Sequence, residues 1–279
     1  MAYHAAGHIV DILVLKLTLT PALIGVSAII GRRWGPGVGG WIVGIPFTSG
    51  PIALLLGLGH GWLFAGTAAT GILAGTGSEA VFCLAYAWVA SRRGWGLSLA
   101  AGIVAFAVST ACLLRLSPSV AAALAIAVLP AALALPLLPR RAGWVARPPG
   151  GGLAAAGDIA TRMAVGAALV LALTAAATLL GPTLTGLLSP FPLFGAVMMV
   201  FSQRLHGGGA GIAAARGLLW GLFGAALFFL VLAALLPRIG WISFLLAIPA
   251  DLIAQGVTLP LVRRGTVAGV PPAPQRAAT

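Results

Sequence analysis

Apolar residues run along this chain in blocks of about twenty or more, separated by short clusters of Gly, Pro and Arg rather than by polar faces recurring every turn. A helix needs about 20 mostly apolar residues to cross the hydrocarbon of a bilayer. Nine spans are predicted, at 9–30, 38–58, 62–90, 95–115, 119–138, 161–180, 183–203, 208–236 and 241–262. The third and eighth are the longest, so tilt or interruption is expected there. The predicted fold is all-α and polytopic, one membrane domain overall.

Composition makes the same point from another side. Of 279 residues, 60% are hydrophobic and 7% charged, whereas a soluble domain carries about a quarter charged residues. The lipid bilayer is therefore the expected surroundings. The net charge of +12 does not indicate nucleic acid, because basic residues at the ends of apolar stretches record membrane topology first. Cys83 and Cys112 fall inside apolar stretches and are expected to be small buried residues. The start, Met1 to His8, lacks the basic n-region of a secretory signal, so the first apolar segment is expected to remain in the mature protein.

Cytoplasmic loops collect Lys and Arg. With the N-terminus outside, one face receives Arg32, Arg33, Arg92, Arg93, Arg140, Arg141, Arg147, Arg162, Arg204, Arg263, Arg264 and Arg276, and the other only Arg115 and Arg238. The expected location is the cell inner membrane, with the C-terminus in the cytoplasm. Residues 139–160, with Pro148-Pro149 and three consecutive Gly, read as a cytoplasmic linker, and 264–279 as a disordered tail.

Sliding the chain against itself by 146 residues aligns 35–95 with 181–241 and gives 18 identities in 61 positions, where this composition yields about seven by chance. The rare residues carry the match: Pro46 meets Pro192, His60-Gly61 meets His206-Gly207, and Gly71 and Gly75 meet Gly217 and Gly221. Residues 1–138 hold the first repeat plus a connector helix, and 161–263 the second repeat. Spans 1–4 answer to spans 6–9, and this odd offset turns the second copy upside down. Such inverted repeats occur in secondary transporters, whose two halves exchange conformations. The paired Gly-x-x-x-Gly motifs are expected to seat spans 3 and 8 against each other.

Span 2 contains Pro46-Phe47-Thr48-Ser49-Gly50-Pro51, and span 7 contains Ser189-Pro190-Phe191-Pro192 at the matching place. Prolines remove backbone donors and clash with the preceding turn, so both helices are predicted to break near the bilayer centre, span 2 at Thr48 to Pro51. Freed backbone groups with Thr48, Ser49, Gly50, Ser189 and Phe191 form a candidate substrate site. Three ionisable residues fall inside spans: Glu79, Arg216 and Asp251. At about 1.5 Å per residue they lie roughly 12–16 Å from the cytoplasmic helix ends and could meet at one level. Arg216 and Gln255 join the candidate substrate set. Glu79 and Asp251 are the candidate proton or ion couplers, because a carboxylate without the arginine could load and release a proton. The opposing reading makes Arg216 one partner of a structural ion pair. His4, His8 and Asp11 have a metal-ligand spacing, but a short and common one, and neither metal nor cofactor is expected.

No nucleophile elbow, Walker loop or zinc-protease motif is present, so an enzyme is not expected. The sequence points to a small secondary transporter of a small polar solute, anionic or zwitterionic if Arg216 sets its sign. The runners-up are an uncoupled facilitator or lipid-carrier translocator, and a non-transporting scaffold subunit. Homo-oligomerisation is compatible with all of these.

Overall fold

The computed structural model describes residues 21–267 except 23, 47–48, 117, 140–156 and 169–190. Among the described residues the chain is helical, with no strand. The helices are α1 (21–34), α2 (Pro36–Val43), α3 (Ser49–His60), α4 (Trp62–Ala90), α5 (Trp95–Leu113), α6 (Val120–Leu137), α7 (157–168), α8 (Leu193–His206), α9 (Gly208–Ile239) and α10 (Ser243–Val267). A 3₁₀ turn, Gly240–Ile242, joins the last two.

Among these, Trp62–Ala90, Trp95–Leu113, Val120–Leu137 and the stretch Gly208–Arg263 are long and apolar enough to cross a membrane. The predicted third span coincides with α4, and the fourth, fifth, eighth and ninth correspond to α5, α6, α9 and α10. The predicted second span is two short helices, α2 of 8 residues and α3 of 12. Large parts of predicted spans 1, 6 and 7, the linker and the tail lie outside the described residues.

α4 and α9 are the central and most extensively packed pair; α5 and α6 cover α4, and α2, α8 and α10 cover α9. One apolar cluster gathers Phe82, Tyr86, Met199, Leu218 and Leu219, and a second gathers Leu73, Phe228, Phe229, Leu232 and Leu236. The outer helices turn apolar side chains outward: Val104 of α5 is 62% exposed, Leu133 of α6 61% and Ile253 of α10 67%. Large apolar residues exposed along these outer helices would be untenable in water and suit lipid, so the protein is membrane-embedded.

Predicted spans 3 and 8 do pack together, as α4 on α9, but Gly217 and Gly221 serve a different neighbour. A Cβ at Gly217 would overlap Gly37 O of α2, and one at Gly221 would lie 2.6 Å from Trp41 O and 2.8 Å from Gly44 Cα. These glycines therefore let α2 press backbone-to-backbone on α9, while a Cβ at Gly71 would meet nothing within 4 Å. α4 and α9 share an apolar cluster that includes Ala69, Leu73, Phe229 and Leu232, and a Cβ at Gly66 of α4 would lie 2.7 Å from the Pro237 ring of α9.

Two corners 146 residues apart have the same backbone conformation. α3 ends at His60 and α8 at His206, and each leads through one glycine into a long central helix. Gly61 has φ 88° and ψ 157°, and Gly207 has φ 85° and ψ 176°. That region is in practice open to Gly alone, so the two corners share a conformation as well as a sequence.

Candidate functional site

α2 stops at Val43 beneath the close approach to Gly221, and Gly44, Ile45 and Pro46 are non-helical. Pro46 has no N–H to continue a helix. α3 resumes at Ser49, with Gly50 N–H donating to Pro46 O at 3.0 Å and Pro51 in the first turn, where proline is tolerated. The interruption thus begins one turn earlier than Thr48 to Pro51, and Phe47 and Thr48 themselves lie outside the described residues. At the position 146 residues further on, Pro192 is the N-cap of α8, and Leu193 N–H donates to Phe191 O at 2.7 Å. Ser189 and the chain before Phe191 lie outside the described residues.

Both irregular segments border one cavity of about 110 Å³. Gly44, Ile45, Pro46 and Ser49 form one side and Phe191, Pro192 and Gly195 another. α9 contributes the face Leu218, Leu222, Ala225 and Phe229, and α4 contributes Thr76 and Glu79. That volume holds several waters but is well below the roughly 300 Å³ of a pocket for a drug-sized ligand.

Glu79 is half-buried at this cavity, and no hydrogen bond or ion pair reaches it among the described residues. Thr76, three residues earlier on the same helical face, donates its hydroxyl to Leu73 O at 2.7 Å and keeps its oxygen as an acceptor. Phe191 is an aromatic wall held edge-on by Phe82 at 6.1 Å and Phe106 at 5.5 Å. Gly50 is a packing position: a Cβ there would lie 3.2 Å from the Phe228 ring.

The other two charges stand elsewhere. Arg216 Nη1 donates to Leu135 O of α6 at 3.3 Å and pairs with neither carboxylate. Asp251 and Gln255 are 4% and 2% exposed on α10. Gln255 Nε2 donates both to Gly221 O at 3.0 Å and to Asp251 Oδ1 at 3.2 Å. Gly224 leaves room for this pair, since a Cβ there would lie 2.7 Å from Gln255 Cδ. One turn further, Trp41 Nε1 of α2 donates to Thr258 Oγ1 at 3.0 Å. Asp251 and Gln255 therefore fasten α10 to α9 on a face of α9 separate from the cavity.

Thr76 escaped the sequence analysis, although its spacing from Glu79 places both on one helical face. A second polar cluster was also missed. Tyr86 OH donates to Gln203 Oε1 at 2.7 Å, and Gln203 Nε2 donates to Arg93 O at 2.9 Å, tying α8 to the end of α4. Among the described residues no group of three His, Cys, Asp or Glu could hold a metal, and His4, His8 and Asp11 lie outside them. Cys83 is buried as expected, whereas Cys112 is exposed on α5.

No protein-family model matches the chain, and no similar curated protein or solved structure was found.

Proposed function

We propose that the chain is a small secondary transporter of the inner membrane, built as nine spans in an inverted repeat with its N-terminus outside and its C-terminus in the cytoplasm. A small polar solute binds in the cavity, and Glu79 is the coupling group. The observation that carries the reading is that one cavity borders both helix interruptions, at Pro46 and Pro192, positions related by the 146-residue repeat. Where two pseudo-equivalent broken helices flank one site, exchanging the conformations of the halves opens it to each side in turn. The charge pattern supports the inversion: Arg32 and Arg33 answer to Thr178 and Leu179, and Leu58 answers to Arg204. Arg216 does not line the cavity, which removes the reason for expecting an anion. Asp251, fastened to Gln255, is a structural lock in this reading.

Access to Ser49 tests it. In a background carrying Cys83→Ala and Cys112→Ser, a single Ser49→Cys is exposed to a membrane-impermeant maleimide in right-side-out and inside-out vesicles. The expected result is labelling from both sides, with the ratio of the two rates responding to an imposed pH gradient. Labelling from one side only, or rates indifferent to the gradient, would count against the proposal.

A further inference from the structure

The charge around the cavity narrows the solute. Glu79 is the one ionisable side chain among its described lining residues. Of the elements around it, α2 and α6 carry no ionisable group, α5 carries only Cys112, and α3 carries only His60 at its far end. α8 carries Arg204 and His206 at its far end, and α9 carries Arg216 and Arg238, both off the cavity. Along α4 the nearest such group is Cys83, one turn on, and Tyr86 beyond it is bonded to Gln203.

An ionised carboxylate inside a membrane costs several kcal/mol unless a countercharge or water stands beside it. With no fixed cation at the cavity among the described residues, the countercharge is a proton or a bound cation. A hard metal ion asks for six or more oxygen ligands in a tight shell. The lining instead combines one carboxylate and the hydroxyls of Ser49 and Thr76 with the rings of Phe191, Phe194 and Phe229. Aromatic faces attract ammonium groups, and apolar walls gain by burying alkyl substituents. A volume of about 110 Å³ limits the guest to a few heavy atoms.

We propose that this cavity takes a small organic ammonium cation, with Glu79 as its counterion, in exchange for the proton of the Glu79 carboxyl. The inference rests on the reading of this cavity as the transport site. The balance is one for one: the cation enters as the carboxyl proton leaves, no covalent bond to the cation forms, and the net charge of the site does not change.

Tetramethylammonium is the probe, because it has no N–H and any proton released comes from the protein. It is added to the purified full chain in weakly buffered detergent with a pH-sensitive dye. The expected result is saturable release of about one proton per chain, with none from sodium chloride at equal ionic strength. Glu79→Gln should abolish the release and Asp251→Asn should retain it, with the fold of each checked by gel filtration and melting. If Glu79→Gln does not fold, the readout moves to Ser49→Cys with Glu79 intact. Tetramethylammonium should then protect the cysteine from maleimide, and acidification should reverse the protection. Absence of both release and protection overturns the cation assignment, as does equal release by sodium or protection by acetate instead. Any of these alongside intact two-sided labelling of Ser49→Cys would leave the transport reading standing. One-sided labelling together with proton release would refute transport and keep the cation site.

Discussion

Substituting Gly217 with Ala adds one methyl group where α2 and α9 touch backbone to backbone. The new Cβ would overlap Gly37 O and lie 2.7 Å from Gly37 C and 2.9 Å from Trp41 N. No side chain can rotate away, so α2 must shift, and Gly44 at its end must leave Gly221. Overpacking of a rigid contact costs about 1–3 kcal/mol, here at the upper end, while Ala regains about 1 kcal/mol of helix propensity over Gly. The net loss is about 2 kcal/mol, or roughly 4–8 °C in melting temperature for a chain of this size. Gly71 aligns with Gly217 at the 146-residue offset in sequence, and a Cβ there meets nothing within 4 Å. Gly71→Ala should therefore leave the melting temperature unchanged or raise it. A thiol-reactive dye reading the exposure of Cys83, in a Cys112→Ser background, follows both transitions in detergent. If Gly217→Ala melts at or above Gly71→Ala, the described approach of α2 to α9 is wrong, and with it the placement of Gly44 to Pro46 at the cavity.

Three further outcomes can be measured with the same proteins. Tyr86→Phe removes the 2.7 Å bond to Gln203 and leaves a buried amide oxygen without its donor, which should cost about 1–2 kcal/mol; melting should fall by a few degrees while Ser49→Cys labelling is unchanged. Arg162 is 3% exposed and bridges to Asp158 at 2.9 Å, so Asp158→Asn should cost about 3 kcal/mol by stranding a buried cation. Adding Arg162→Met should recover at least half of that loss in a melting experiment, because Met198 and Phe201 already surround the guanidinium. Phe191→Ala deletes both edge-to-face contacts of the cavity wall, which should cost about 2–3 kcal/mol and speed maleimide labelling of Ser49→Cys.

Much of the helical layout was legible because its causes are local. Gly61 and Gly94 stand immediately before α4 and α5, Ser119 caps α6 by accepting from Ala122 N–H, and Pro46 stops a helix wherever it stands. The role of Gly217 and Gly221 was not legible. A Gly-x-x-x-Gly pair announces close approach but not the partner, and the partner proved to be a half-helix only 8 residues long. Thr258 was likewise silent, since nothing near it in sequence indicates that Trp41, 217 residues away, would reach it.

The expected meeting of Glu79, Arg216 and Asp251 failed for a geometric reason that concerns the site directly. Rise per residue fixes depth, but whether groups at one depth meet depends on direction around the helix between them. On α9, Leu218, Leu222, Ala225 and Phe229 face the cavity, Gly221 and Gly224 face Asp251 and Gln255, and Arg216 faces α6. At about 100° per residue, Arg216 points about 150° away from the centre of the cavity face, and the Asp251 side about 100° away from it. α9 therefore keeps the three charges on separate sides. The arginine and the amide-bound aspartate hold neighbouring helices, and among the described residues the cavity receives a single carboxylate. In the proposed reading, a site whose described lining holds one acid and no base can bind a cation or a proton, but not both at full charge, and that exclusion would couple the two fluxes.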